Sequence, residues 1–283
     1  MRALGIDPGT SSFDICCIAD STECILLEHS VPTLQVAKQP EELYKVVVKA
    51  RPDVVVGPSA MGMAFKHISE VTEVDIAYAT LAKNTDVDVA IRRFIQMLKA
   101  SGLNVYFVPG VIQLPTVPTH RKLNKVDMGT ADKTCITGLA IWDHARKQNV
   151  DYSAANLIVA ELGFGFNAAV AVENGQIIDG VGGTSFPGPG YLTMGGMDLE
   201  LPHLLAGFSE LHLAEGGIGY AASRKAVSPE VFAERLTRDP RFQQAWRSFQ
   251  EGVARSVAME LSAFDKPPRE VVLSGRISRV PAL

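Results

Sequence analysis

Four cysteines in 283 residues, Cys16, Cys17, Cys24 and Cys135, are too few and too poorly spaced to hold a fold together. They contain no Cys-x-x-Cys pair, the adjacent Cys16 and Cys17 point to opposite faces of any strand that carries them, and the six histidines do not gather around them. The expectation is therefore free, buried thiols in a reducing compartment, with neither a zinc site nor a disulfide framework. Basic charge is not in excess either. Lys and Arg number 27 against 31 Asp and Glu, a net charge of -4, which gives no electrostatic footprint for nucleic acid. No stretch approaches the ~20 unbroken apolar residues that span a membrane. The chain opens on a strand ending in Asp7, without the charged and then apolar layout of a secretion signal, so a cytoplasmic location is expected.

What is present is material for cores: 47% of residues are hydrophobic and 20% charged, and the length suggests about two domains. The stretch LGIDPGTSS, Leu4 to Ser12, reads as a strand, a turn of small residues carrying Asp7, and a second strand from Phe13 to Ala19. Pro8 presets one turn dihedral and Gly9 allows close approach by a ligand. Backbone amides of Gly9, Thr10 and Ser11 could take phosphate oxygens, and Asp7 could orient Mg2+, which favours one or two carboxylates with phosphate oxygens and water. An ordinary hairpin turn explains the same residues.

A second copy changes the weight of the first. Asn156 to Leu162 is another apolar strand ending in a carboxylate, Glu161; Gly163-Phe164-Gly165 follows, then an apolar strand from Phe166 to Glu173. A third strand is expected after each copy, Glu23 to Val31 and Gln176 to Asp179. The same strand, acidic glycine turn, strand, strand unit opens both halves, an internal repeat.

Two such units resemble the phosphate-1 and phosphate-2 loops of the actin-like ATPase superfamily of sugar kinases, chaperone ATPases and acetate kinases. GIDPGTSS resembles the first loop and ELGFGFNAAVAV the second. More narrowly, NKVDMGTADK, ELGFGFNAAVAVENG and DGVGGTSFPGPGYL resemble a mostly archaeal group of predicted butyrate kinases. The resemblance implies an α/β fold of two actin-like (ribonuclease H-like) domains, with mixed, five-stranded-type sheets flanked by helices. Residues 1–150 would form the first domain and 151–283 the second, the short polar break Asp151 to Ala155 marking the boundary. It implies ATP and Mg2+ held between the halves, and phosphoryl transfer to a small-molecule acceptor, a short-chain carboxylate such as butyrate. By the same resemblance the phosphates would meet Gly9, Thr10, Ser11, Gly163 and Gly165, and the metal would meet Asp7 and Glu161. The strand Glu270 to Ser274 with Gly275 resembles the adenosine motif, with Arg276 where a second glycine usually stands, and the second domain reads as C-terminally incomplete. A nucleotide-dependent switch or slow ATPase, and a degenerate non-catalytic scaffold, remain alternatives. The sequence is compatible with a homodimer.

The remaining elements follow from period and punctuation. Pro40 should start a helix with Leu43, Val46, Val47 and Ala50 on one side, and Asp53 to Gly57 should be a buried strand. Ala60 to Ala82 reads as loop and short helix. Asp86 to Ser101 is a clear helix, capped by Thr85 or Asp86 and stopped by Gly102, and Val105 to Val108 a further strand. A basic cluster, His120, Arg121, Lys122 and Lys125, is either a solvated linker or a source of Arg121 or Lys125 for charge stabilisation on a transferring phosphoryl group. Met128 to Lys147 should be a helix with Thr130 as cap and Ile136, Leu139, Ala140 and Ala145 on its face. Its first-turn Asp132 either complements the helix dipole or is the catalytic carboxylate. The second role is the one implied by the likeness of GTADK to the glycine, acidic, basic signature of type III pantothenate kinases. The glycine-dense Asp179 to Gly196 reads as an ordered loop. Helices are expected at Leu199 to Leu213 and Pro229 to Phe264, the latter broken near Asp239-Pro240.

Overall fold

The computed structural model describes residues 1–20, 24–81, 85–205 and 207–280. Glu23 and Ala82, expected ends of a strand and a loop, lie outside them, as do residues 281–283 at the end of the second expected domain. The chain forms two compact units, Met1–Gln113 with Thr130–Asp132, and Leu114–Gly129 with Lys133–Leu283.

The first unit is built on β1 (Arg2–Pro8), β2 (Ser12–Ala19) and β3 (Cys24–Pro32), an antiparallel meander. Helices α1 (Thr33–Lys38) and α2 (Pro40–Ala50) follow, then β4 (Val54–Val56), β5 (Lys66–His67), α3 (Glu73–Ala79), α4 (Asp86–Ala100) and β6 (Val105–Phe107). The sheet order is β3-β2-β1-β4-β6-β5, with β1, β4 and β6 parallel. Alternation fixes which face is buried: Leu4, Ile6, Phe13 and Ile15 point into one core with Val55 and Phe107. Leu43 and Val47 of α2 and Ile91, Phe94, Ile95 and Leu98 of α4 close over them. Pro40 starts α2 as expected, and α4 begins at a reciprocal cap in which Thr85 N–H donates to Asp88 Oδ2 (3.1 Å) and Asp88 N–H to Thr85 Oγ1 (3.4 Å). Such a cap contributes about 1 kcal/mol.

Helix α5 (Ala131–Gln148), counted in the second unit from Lys133 onward, precedes β7 (Leu157–Leu162), β8 (Asn167–Glu173) and β9 (Gln176–Gly182). Short helices α6 (Glu200–Leu204), α7 (Glu210–Ala214) and α8 (Ile218–Ser223) lead to α9 (Pro229–Leu236), the long α10 (Pro240–Leu261) and β10 (Glu270–Ser274). The sheet order is β10-β7-β8-β9, with β10 parallel to β7. Strand β7 is buried on both faces. Its Ile158 and Leu162 share a face with α10, whose Phe242, Trp246, Phe249 and Val253 pack with Phe186, Tyr191 and Phe232. Leu157, Val159 and Glu161 alternate onto the other face, where α5 lies. The break expected at Asp239-Pro240 is real: Asp239 caps α10 by accepting from the Arg241 N–H (3.0 Å).

Two expectations are corrected. The buried side of α5 is not Ile136, Leu139, Ala140 and Ala145: Leu139 is 54% exposed, while Thr137 and His144 are buried beside Ala140 and Ala145. These polar residues are tolerated because each is partnered, Thr137 Oγ1 donating to Lys133 O (2.7 Å) and His144 Nδ1 meeting Glu270 of β10. Of the four cysteines, expected to be buried, only Cys17 is. Cys16 and Cys24 lie exposed on β2 and β3, and Cys135 on α5. The stretch from 60 to 82 also contains the two-residue strand β5, too short to leave a period.

Candidate functional site

The first acidic turn joins β1 to β2. Residues Arg2 to Pro8 pair in register with Ala19 to Phe13, so the ladder runs to the foot of the turn and leaves Gly9-Thr10-Ser11 at its tip. A Cβ at Gly9 would lie 2.7 Å from Ser12 O, so the tightness of the turn requires glycine. The start of α1 latches it from behind: Thr33 Oγ1 donates to Gly9 O (2.9 Å) and Thr33 N–H to Ser11 O (3.1 Å). With these carbonyls tied to α1, the turn is braced to offer amides on its other side. Asp7 is exposed and sits directly opposite Asp14, whose Oδ2 accepts from Ser12 Oγ (2.9 Å). Like charges facing each other across a ladder destabilise it. Two carboxylates there fit the oxygen preference and low carboxylate count of a Mg2+ site beside phosphate.

Asp132 occupies the first turn of α5, where the Thr130 hydroxyl donates to its carboxylate. Thr130 therefore orients Asp132. The preceding Asp127 Oδ1 accepts from Gly129 N–H (2.7 Å) and its carboxylate seats against the main chain of Gly182 and Gly183 at the end of β9. No role for Asp127 was evident in the sequence, although it lies within NKVDMGTADK. The same holds for Lys133.

The second acidic turn follows β7. Glu161 is the last residue but one of that strand, opposite Ala168 and beside Ser274 of β10, and Gly163 and Gly165 lie in the turn. Gly275 follows Ser274 at φ +88°, and a Cβ there would strike Leu162 O and lie 2.7 Å from Glu161 Oε1. Gly275 and the Glu161 carboxylate thus lie side by side. Lys133 closes the cluster from α5, its Nζ 3.1 Å from Glu161 Oε2, with the two side chains only 12% and 15% exposed. The glycine-dense loop packs on the same turn: Leu192 N–H donates to Phe164 O (3.2 Å) and Thr193 Oγ1 to Gly165 O (2.8 Å). Tyr191, fully buried, donates to Val227 O (2.9 Å), and burial pushes its phenol above the usual range. The loop is therefore ordered, as its aromatic residues suggested.

Arg121 does not join this cluster. Its guanidinium donates to Ile178 O (2.9 Å) and Ala263 O (3.1 Å) and lies 3.5 Å from Asp179 Oδ2, tying the segment after Leu114 to β9 and to the end of α10. Beside it Glu260 is 3% exposed. Burial first, and then the Asp179 charge, push its carboxyl up to about 9, against the opposing pull of Arg121 and Lys125. Burial also raises Asp179, opposed by the Gly180 N–H and by Arg121, Lys125 and His120. Among the described residues no group of three or more His, Cys, Asp or Glu side chains gathers as a metal cage, and no helix is long and apolar enough to cross a membrane.

The profile of the family described as "Protein of unknown function (DUF1464)" matches residues 5–283. The chain belongs to this family. No curated protein matches it in sequence. Among solved structures it is similar to acetate kinase from Entamoeba histolytica, at 14% identity and TM-score 0.65 over 98% of this chain and 82% of that one. It is also similar to a propionate kinase from Francisella tularensis subsp. tularensis SCHU S4, at 16% identity and TM-score 0.66 over 94% and 81%. A PilM-PilN type IV pilus biogenesis complex matches at 12% identity and TM-score 0.50 over 99% and 83%. At these identities the likeness is one of fold: this family member has the mixed α/β, actin-like ATPase architecture.

Proposed function

We propose that this protein is an ATP-dependent phosphotransferase acting on a small molecule, with a short-chain carboxylate such as butyrate as the acceptor. The observation that carries the reading is the repeated hairpin. Each unit ends its first long central strand in a carboxylate, turns through glycine, and returns antiparallel, in a fold shared with acetate and propionate kinase structures. Amides of Gly9, Thr10 and Ser11 are suited to phosphate oxygens, and so are those of Gly163 and Gly165. Gly275 lies against the nucleoside. Asp7, with Asp14 across the ladder, is the carboxylate suited to Mg2+, which when bound neutralises charge on the phosphate oxygens. A carboxylate acceptor is already ionised and needs no base, so Asp132, oriented by Thr130, positions the acceptor. With a hydroxyl acceptor the same oxygen would take the proton.

A second reading, a nucleotide-dependent switch, is favoured by one observation. Arg121, the guanidinium expected at the transferring group, is engaged with main-chain carbonyls instead. Calorimetric titration of Mg·ATP, beside an Asp7→Ala control and with and without millimolar butyrate, separates the readings. Binding lost in Asp7→Ala and tightened by butyrate supports the kinase. Binding indifferent to any acceptor, with slow hydrolysis, supports the switch, and no binding by folded protein overturns both.

A further inference from the structure

We propose that Lys133 is the phosphate-recognising cation of the second glycine turn, and that Glu161 serves as its counter-ion, in the place where the resemblance puts a metal ligand. The proposal rests on the nucleotide reading above and deepens it. The geometry of Glu161 carries it. Its carboxylate is folded back against main chain: a Cβ on Gly163 would lie 3.3 and 3.5 Å from Oε2 and Oε1, and a Cβ on Gly275 would lie 2.7 Å from Oε1. Lys133 Nζ covers Oε2 at 3.1 Å. The ammonium thus stands on the carboxylate at the position a metal would compete for, and Oε1 lies close against the Gly275 main chain. Inner-sphere Mg2+ demands an oxygen at about 2.0–2.1 Å in near-octahedral surroundings, which an ammonium on the same carboxylate opposes by charge and by space. Glu161 does not fit the metal, whereas Asp7 does.

The charge balance points the same way. Glu161 and Lys133 are both more than four-fifths buried, and a pair at such depth is costly to desolvate. Paired, the two are neutral, so the turn is not held open by an unbalanced charge before a ligand arrives. A phosphate seated on the amides of Gly163 and Gly165 brings negative charge to a turn whose own carboxylate is already neutralised by Lys133. The ammonium then has two anions to satisfy, and Glu161 holds it beside the turn. Lysine suits this task as a compact point charge on a long stem. Without Lys133 the same phosphate would face the bare Glu161 carboxylate across Gly163 and be repelled.

The test is calorimetric binding of ATP, ADP and adenosine to the full chain, as a function of Mg2+ concentration. The variants are Lys133→Met, Glu161→Gln, the pair Lys133→Met with Glu161→Gln, and Asp7→Ala. Because Lys133→Met alone strands a buried carboxylate and could unfold the second unit, the pair variant, which removes both charges, keeps the experiment decisive. The expected result is that the pair variant binds ATP about 10–100-fold more weakly, the size of one lost charge-assisted hydrogen bond, with adenosine unchanged. Glu161→Gln should keep the wild-type dependence of ATP affinity on Mg2+, while Asp7→Ala should lose it. Wild-type ATP affinity in the pair variant, or loss of the Mg2+ dependence in Glu161→Gln, overturns the assignment while leaving the nucleotide reading intact. Absence of ATP binding by the folded wild-type chain overturns both.

Discussion

Glu260 gives the sharpest quantitative expectation, because its carboxyl is buried at 3% exposure and held near a pKa of about 9, against an ordinary 4.5. The native state keeps the proton and the unfolded chain releases it. Raised folded-state affinity for a proton therefore stabilises fully only below pH 4.5, and that stability drains away as pH climbs toward 9. The slope is about 1.4 kcal/mol per pH unit, so by pH 8 the ceiling on the loss is roughly 5 kcal/mol, against about 1 kcal/mol at pH 5. Glu260→Gln keeps the shape and cannot ionise. It should raise the stability of the second unit by several kcal/mol at pH 8 and by little at pH 5, read from urea unfolding at the two pH values. Tryptophan fluorescence reports this unit alone, since the chain's two tryptophans, Trp142 on α5 and the buried Trp246 on α10, both belong to it. Equal gains at both pH values, or none at pH 8, would refute the claim that burial and Asp179 keep this carboxyl protonated.

Other substitutions probe the site's supports. Gly275→Ala places a Cβ on Leu162 O and Glu161 Oε1 at a φ of +88°, and should lower the thermal midpoint of the second unit through at least about 1–3 kcal/mol of strain. An unchanged midpoint would mean that β10 can retreat from the turn. Arg121→Lys replaces a fork that reaches two carbonyls by a point charge, so stability in urea should fall by about 1–3 kcal/mol. If stability holds while phosphoryl transfer falls, Arg121 belongs with the chemistry and its main-chain contacts are incidental. Asp7→Ala, at an exposed β1 position facing the like charge of Asp14, should leave folding within about 0.5 kcal/mol of wild type while removing Mg·ATP binding, a separation that denaturation and calorimetry on the same sample would check.

What the sequence disclosed was whatever is written locally. The bounds of β10 were read as Glu270 to Ser274 and stand so, α4 announces itself by Thr85 and its apolar period, and Asp239-Pro240 marks the break before α10. What it concealed depends on partners far along the chain. Thr137 and His144 look like surface residues until Glu270 arrives beside α5. Arg121 looks like a solvent-facing cation until Ile178 and Ala263, the latter 142 residues away, take its donors. Lys133 and Glu161 were both visible, one in GTADK and the other in ELGFG, but nothing in either stretch says that the two side chains meet.

The parallel seam between β7 and β10 sets an order of events. Strands β7, β8 and β9 are consecutive hairpins and can form from neighbouring chain, whereas β10 must return across the intervening helices to lay Ser274 beside Glu161. Loop-closure entropy makes such a non-local pairing late in folding. Until it happens the Glu161 pocket lacks one wall, because Gly275 supplies it. The Gly163-Phe164-Gly165 turn can thus form with the β7–β8 hairpin, and its Gly275 wall is added when β10 pairs. Protection of the Gly275 amide from solvent exchange should therefore rise after that of β7 and β8, as β10 docks.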